Sequence, residues 1–238
     1  RLDNIWLVLY NISRDFTTPI CGKRKERHSM KVIHLISGGD SGGAKTHVLS
    51  LLQHLNQTIT AQLVCFRDGP FAEEARQMGI PTMICGGNNV FRTRRKLTAY
   101  IREGGYEIIH CHGSRANMIG AMLRKVTGLP VVTTVHSDYR LDYMGRPLSH
   151  LTFATMNALA LRRLDYRIGV SDAMVDLLIS RGFPADRFYT IYNGIDFTPP
   201  PPQGDRLEYL RSLGADVDEN SVVVGIAARM NPVKDMAT

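Results

Sequence analysis

Cysteine is scarce: Cys21, Cys65, Cys85 and Cys111 are the four in 238 residues, and no two form a CxxC pair. That argues against a disulfide framework or a cysteine zinc site. Three of the four sit inside apolar, strand-like runs, where cysteine behaves as a small hydrophobe. No stretch approaches the ~18 consecutive apolar residues of a membrane helix. The run Ile5–Tyr10 is too short for a secretory leader and has neither a basic start nor a small-residue cleavage site. A cytoplasmic protein is the simplest reading. Concentrated charge is missing as well. The net charge is +7, with +3 in the first 29 residues and the rest spread thinly. That excess suits an anionic substrate or an acidic membrane surface and is too diffuse for nucleic acid. The run Arg92-Thr93-Arg94-Arg95-Lys96 reads as a solvated helix face, with a binding patch as the alternative.

What the chain does have is alternation. Residues 1–29 lack periodicity, and at Met30 the character changes to the apolar strand "MKVIHLIS". Residues 1–29 are therefore set apart from the fold, as upstream sequence or as a disordered arm. Strands are expected at 31–37, 62–66, 82–85, 107–112, 130–136, 166–170 and 188–192. Helices are expected at 44–55, 71–78, 94–103, 115–126, 148–162 and 172–181. Strands that are apolar on both faces and alternate with helices predict a parallel sheet covered on both sides. The α/β domain spans 30–196, and the proline-rich "FTPPPPQGD" supplies a stiff connector at 197–205. A helix at 206–213 and a buried strand at 221–228 read as the start of a second α/β domain, 206–238, that is truncated.

The loop "SGGDSGGAKT", Ser37 to Thr46, allows three chemistries. "GDSGG" matches the nucleophile loop of trypsin-like proteases, but the surrounding strand–loop–helix pattern is not all-β, and too few residues precede Ser41 for an upstream His and Asp. "GDSGGAKT" falls one residue short of a P-loop, because Ala44 stands where glycine must wrap the phosphate. A dinucleotide G-x-G-x-x-G cannot be placed on Gly38, Gly39, Gly42 and Gly43, and Arg67 stands where the second strand would end in an acid. What remains is a glycine loop ahead of a helix N-terminus, suited to an anion. A plain tight turn stays open beside it.

Four stretches in order resemble the retaining glycosyltransferases of the GT-B fold, often called family 4. They are "MKVIHLISGGDSGGAKTHVLSLLQHL", "GYEIIHCHGSRANMIGAMLRKVTGLPVVTTVHS", "VSDAMVDLLISRGFPADRFYTIYNGIDF" and "VVGIAARMNPVKDMAT". The resemblance implies two Rossmann-like domains, an acceptor side in the first and a nucleotide-sugar donor bound mainly by the second. It implies that Gly42, Gly43, Arg229 and Lys234 bind the donor diphosphate, that His136 acts at the transferring sugar, and that His112, Ser114, Arg115 and Asn117 line the acceptor side. It implies a carbohydrate or lipid-linked acceptor, contact with the inner face of a membrane, and no obligatory metal or other cofactor. His110 and His112 share a strand face, but further metal ligands cannot be placed from the sequence, so no metal site is expected. The carboxylate pair of such enzymes falls beyond Thr238, so the chain alone is expected to lack turnover. Alternatives are another GT-B enzyme, such as a sugar-nucleotide epimerase, and a non-catalytic sugar- or nucleotide-binding module.

Overall fold

The computed structural model describes residues 8–9, 30–39, 43–87, 89–140, 155–194 and 204–224. The chain divides into two units, Arg1–Gly194 and Ile195–Thr238.

The first unit is built on seven strands: β1 (Lys31–Ile36), β2 (Thr60–Cys65), β3 (Thr82–Ile84), β4 (Ile108–His112), β5 (Val131–Val135), β6 (Tyr166–Gly169) and β7 (Phe188–Thr190). The helices between them are α1 (Gly43–Leu55), α2 (Pro70–Gln77), α3 (Val90–Gly104), α4 (Ser114–Thr127), α5 (Thr155–Arg163) and α6 (Asp172–Ser180). All six pairings are parallel, in the order β3-β2-β1-β4-β5-β6-β7. The chain lays β2 and β3 to one side of β1, then returns to lay β4 on the other side and continues outward. The order therefore reverses between β1 and β4, which opens a crevice at the carboxyl ends of those two strands.

Parallel strands are buried on both faces, and the residues comply. Val32, Ile36 and Leu63 pack with Val48 and Leu52 of α1 and with Phe71 of α2. Ile33, Leu35, Ile109 and Cys111 face the other way, onto Leu97 and Ile101 of α3 and Ile119 and Leu123 of α4. Cys65, Cys85 and Cys111 are buried in apolar surroundings and form no disulfide among the described residues. In the segment set apart at 1–29, Val8 and Leu9 are the described residues, and they are helical and buried in the same cluster as α1.

The strand positions expected from sequence recur to within about two residues. Two features differ. α3 starts at Val90, four residues before Arg94, because the Asn89 side chain accepts a hydrogen bond from the Arg92 amide and caps it. In the second unit, α7 (Arg206–Ser212) forms behind an Asp205 cap. Ser221–Val224, expected to open a buried strand, is not a strand, and Val222 and Val224 are 90% and 91% exposed. A strand takes both its hydrogen bonds and its burial from neighbours, and among the described residues these four have no partner strand. Residues 225–228 of that expected strand, and 148–154 of the expected helix, lie outside the described residues.

Candidate active site

Three loops leave the sheet at the switch point. The first follows β1. Gly38 has φ +85°, and a Cβ there would lie 2.6 Å from the Arg67 carbonyl oxygen, so the loops after β1 and β2 run too close for any side chain. Gly43 is different. It opens α1, has no positive φ, and a Cβ there would meet nothing within 4 Å. The amino end of α1 is the positive end of the helix dipole and favours an anion. Lys45 is engaged elsewhere, in an ion pair with Glu74 of α2, which removes the clamp a P-loop would require. Ser41 and Gly42 lie outside the described residues, as do Arg229 and Lys234.

The second loop follows β4. Gly113, at φ +84°, precedes α4 and makes no side-chain cap, so Ser114 begins the helix with its amides uncapped. By contrast, Asn89 and Ser171 cap α3 and α6 with their side chains. Arg115 is half-buried. It lies over the Phe66 ring at 5.3 Å and donates to the Gly87 carbonyl at 2.9 Å, tying α4 to the loops after β2 and β3. Asn117, expected to line the acceptor side, is turned inward. Its amide donates to Asn157 Oδ1 at 3.0 Å, its oxygen accepts from Thr133 Oγ1 at 2.6 Å, and it is 3% exposed. It lies on the buried face of α4 with Ala116 and Gly120, where it holds the sheet and α5 together instead of facing a ligand.

The third loop follows β5 and begins with His136. Asp138 forms a two-pronged pair with Arg181 at the end of α6, with Nη2 to Oδ2 at 2.6 Å. The guanidinium holds the Asp138 carboxyl below the usual range, against the opposing effect of its partial burial. That pair fixes the path of the chain directly after His136.

Behind these loops stands a column of imidazoles. His34 on β1 is in register with His110 on β4, and their rings are 4.7 Å apart. His110 and His112 stack at 4.3 Å on the same strand face, as their spacing predicts. His34 Nδ1 lies 3.2 Å from His112 Nε2, and His110 Nε2 lies 2.8 Å from Thr134 Oγ1. His136 follows, 5.8 Å from the His112 ring and 5.0 Å from His47 of α1. His34, His110 and His112 are buried, so His112 stands behind the surface as a second layer and does not line it. Burial pushes all five below the ordinary histidine value, and His136 falls to about 3. The rings are therefore neutral near pH 7, each with one donor and one acceptor nitrogen. His136 Nε2 has no partner among the described residues.

Sequence reading found His110, His112 and His136. It missed His34 and His47. A lone histidine inside "KVIHLI" gives no signal of its own, and only the β1–β4 register brings it to His110.

Residues 41–198 match the sequence model of Glycosyltransferase Family 4. EpsF of Bacillus subtilis (strain 168) is 26% identical over 225 residues, covering 87% of this chain and 56% of that protein. The UDP-Gal:alpha-D-GlcNAc-diphosphoundecaprenol alpha-1,3-galactosyltransferase of Escherichia coli is 24% identical over 200 residues, covering 76% and 48%. The chain thus spans about half the length of these curated relatives. Among solved structures, Anabaena HepE in complex with UDP-glucose superposes with a TM-score of 0.62 at 24% identity, covering 78% of this chain and 50% of that one. The match runs over more than half of the sequence and the parallel sheet agrees with it: this chain belongs to Glycosyltransferase Family 4 and has the GT-B fold.

Proposed function

We propose that the protein transfers a hexosyl group from a nucleotide sugar to the hydroxyl of a carbohydrate or lipid-linked acceptor, with retention of anomeric configuration. The observation that carries this reading is the position of His136. It is a neutral imidazole with a buried, unpartnered Nε2 just past the carboxyl end of β5, 5.0 Å from the His47 ring of α1 and 5.8 Å from the His112 ring at the end of β4. An uncharged ring in that place can hydrogen-bond a sugar hydroxyl without repelling the cationic character that develops at the anomeric carbon. Gly43, with Gly42 beside it, offers open backbone to the donor diphosphate. Arg229 and Lys234 supply the cations that neutralise the leaving group, so no metal is obligatory for the reaction. Ser114 and Arg115 face the acceptor. The neighbours suggest UDP as the donor nucleotide: HepE is complexed with UDP-glucose, and the E. coli relative uses UDP-Gal and a diphosphoundecaprenol-linked acceptor.

A lipid-linked acceptor sits at a membrane, and the face for it is α3. Arg92, Arg95 and Lys96 are exposed there beside Phe91, which is 68% exposed. No helix among the described residues is long and apolar enough to cross a membrane, so the proposed contact is peripheral, at the inner leaflet.

The test is a transfer assay with the protein from the complete reading frame, UDP-sugars, and lipid-linked and free saccharide acceptors, with the anomeric configuration of the product read by NMR. Product of retained configuration, formed equally in chelator and lowered about 100-fold by His136→Ala, is expected. Inverted product, or full activity in the variant, overturns the reading.

A further inference from the structure

We infer that His34, His110 and His112 form a buried site for one divalent ion of borderline softness, with zinc and cobalt the best suited, between β1, β4 and α1.

The first argument is unmet hydrogen bonding. His34 Nε2, His110 Nδ1 and His112 Nδ1 are buried polar atoms without a partner among the described residues. A buried polar group left unpaired costs about 1–3 kcal/mol, and His110 Nδ1 is the one of the three that an ion held by these rings would pair. Ordinary packing supplies it no partner, since apolar side chains fill the neighbouring positions of the same strands. A cation that accepts nitrogen lone pairs does supply one.

The second argument is geometry. Each of the three rings offers a nitrogen, and these atoms lie within 4.8 Å of one another. With zinc–nitrogen bonds of about 2.0–2.1 Å, tetrahedral ligand atoms stand about 3.3–3.4 Å apart. His34 Nδ1 and His112 Nε2, which share a hydrogen bond, already stand at 3.2 Å, so ligation through them exchanges that bond for the ion. His110 also carries the support a ligand needs, because its Nε2 meets Thr134 Oγ1 at 2.8 Å, which leaves Nδ1 to face the cluster. Ligating histidines are oriented by such a bond on the other ring nitrogen.

The third argument is donor chemistry. The group is all imidazole, and the charges acting on it are the other histidines, His47 and His136. Calcium and magnesium require oxygen ligands and are poorly served. Imidazole suits zinc, cobalt, nickel and copper. The half-buried His47 and His136 rings flank the cluster without belonging to it. The ion is structural or regulatory: it would pin the β1–β4 junction behind His136 and has no place in the transfer step proposed above.

The test uses the untagged 238-residue chain, stripped with chelator and then titrated with Co(II). We expect one cobalt per chain, an intense visible ligand-field band, and competition by zinc. His110→Gln should abolish the band. Thr134→Val, which keeps all three ligands, should weaken affinity about tenfold. His54→Gln, on the exposed side of α1, should change nothing. Fewer than half a cobalt per chain overturns the proposal, as does a band that survives His110→Gln in a variant with native circular dichroism. If His110→Gln does not fold, Thr134→Val decides: unchanged affinity refutes the site.

Discussion

Mild acid should unfold this protein through its imidazole column. His34, His110, His112 and His136 are held neutral by burial, and His136 titrates only at about 3. In the unfolded chain each returns to about 6.5. Below that value the unfolded state binds protons that the folded state refuses. The folded values are depressed, so the contribution to stability is complete above about pH 6.5 and falls away as pH drops toward the folded values. Each ring contributes a slope of about 1.4 kcal/mol per pH unit, and four together give about 5–6 kcal/mol per unit. Going from about pH 7.5 to about pH 5.5 therefore removes about 5 kcal/mol, a large share of the ~5–15 kcal/mol of an ordinary domain. The paired carboxylate Asp138 titrates below the normal carboxylate range and does not confuse this window. The assay is urea unfolding followed by far-UV circular dichroism at stepped pH, in chelator throughout. His110→Gln should flatten the slope by about a quarter. A slope of about 1.4 kcal/mol per unit or less would mean that at most one of the four rings stays neutral, and would refute the reasoning.

Further substitutions separate structural from ligand-binding residues. Gly38→Ala places a Cβ against the Arg67 carbonyl at a left-handed φ and should cost about 2 kcal/mol or more in urea unfolding. Gly43→Ala meets no atom and should leave stability within about 0.5 kcal/mol; Gly43→Val should lower sugar transfer while Ser41→Ala spares it, and equal losses would remove Gly43 from the diphosphate site. Asp165 is buried, accepts from the Val131 amide at 3.0 Å and pairs with Arg124, so Asp165→Ala should destabilise by about 3 kcal/mol. Arg124→Ala should cost less, because its side chain is 46% exposed; similar losses from the two would show that the Val131 bond is unimportant. Replacing Arg92, Arg95 and Lys96 by Gln should weaken binding to anionic lipid vesicles by about 1 kcal/mol per residue, read by flotation, and undiminished binding would remove α3 from the membrane contact.

How legible the molecule was depends on the range of the interactions involved. Strand positions and their parallel order followed from runs such as "KVIHLI" and "VVTTV", whose two apolar faces leave little alternative to a covered sheet. α3 begins four residues before the expected 94 because Asn89 caps it, and an Asn three residues before the amide it receives is a local capping signal. The two glycine pairs could not be told apart, since the approach of Arg67 that demands Gly38 comes from a different loop. His34 and His110 stand 76 residues apart and meet only through register. Asn117 matched an expected motif, but its place on the helix turned it toward Thr133 and Asn157. The valines of 221–224 had the composition of a strand, and composition does not provide neighbours.

Because all seven strands run the same way, the domain has two ends with separate duties. The amino ends are stitched together: Asp165 holds Val131 and Arg124, the Lys31 ammonium reaches the Gly104 carbonyl, and Arg102 reaches that of Val126. The carboxyl ends hold the glycine turns, the uncapped start of α4 and His136. Substitutions that retune recognition can therefore accumulate at one rim while the fastening at the other stays unaltered. A fold built this way can vary one rim without rebuilding its foundation.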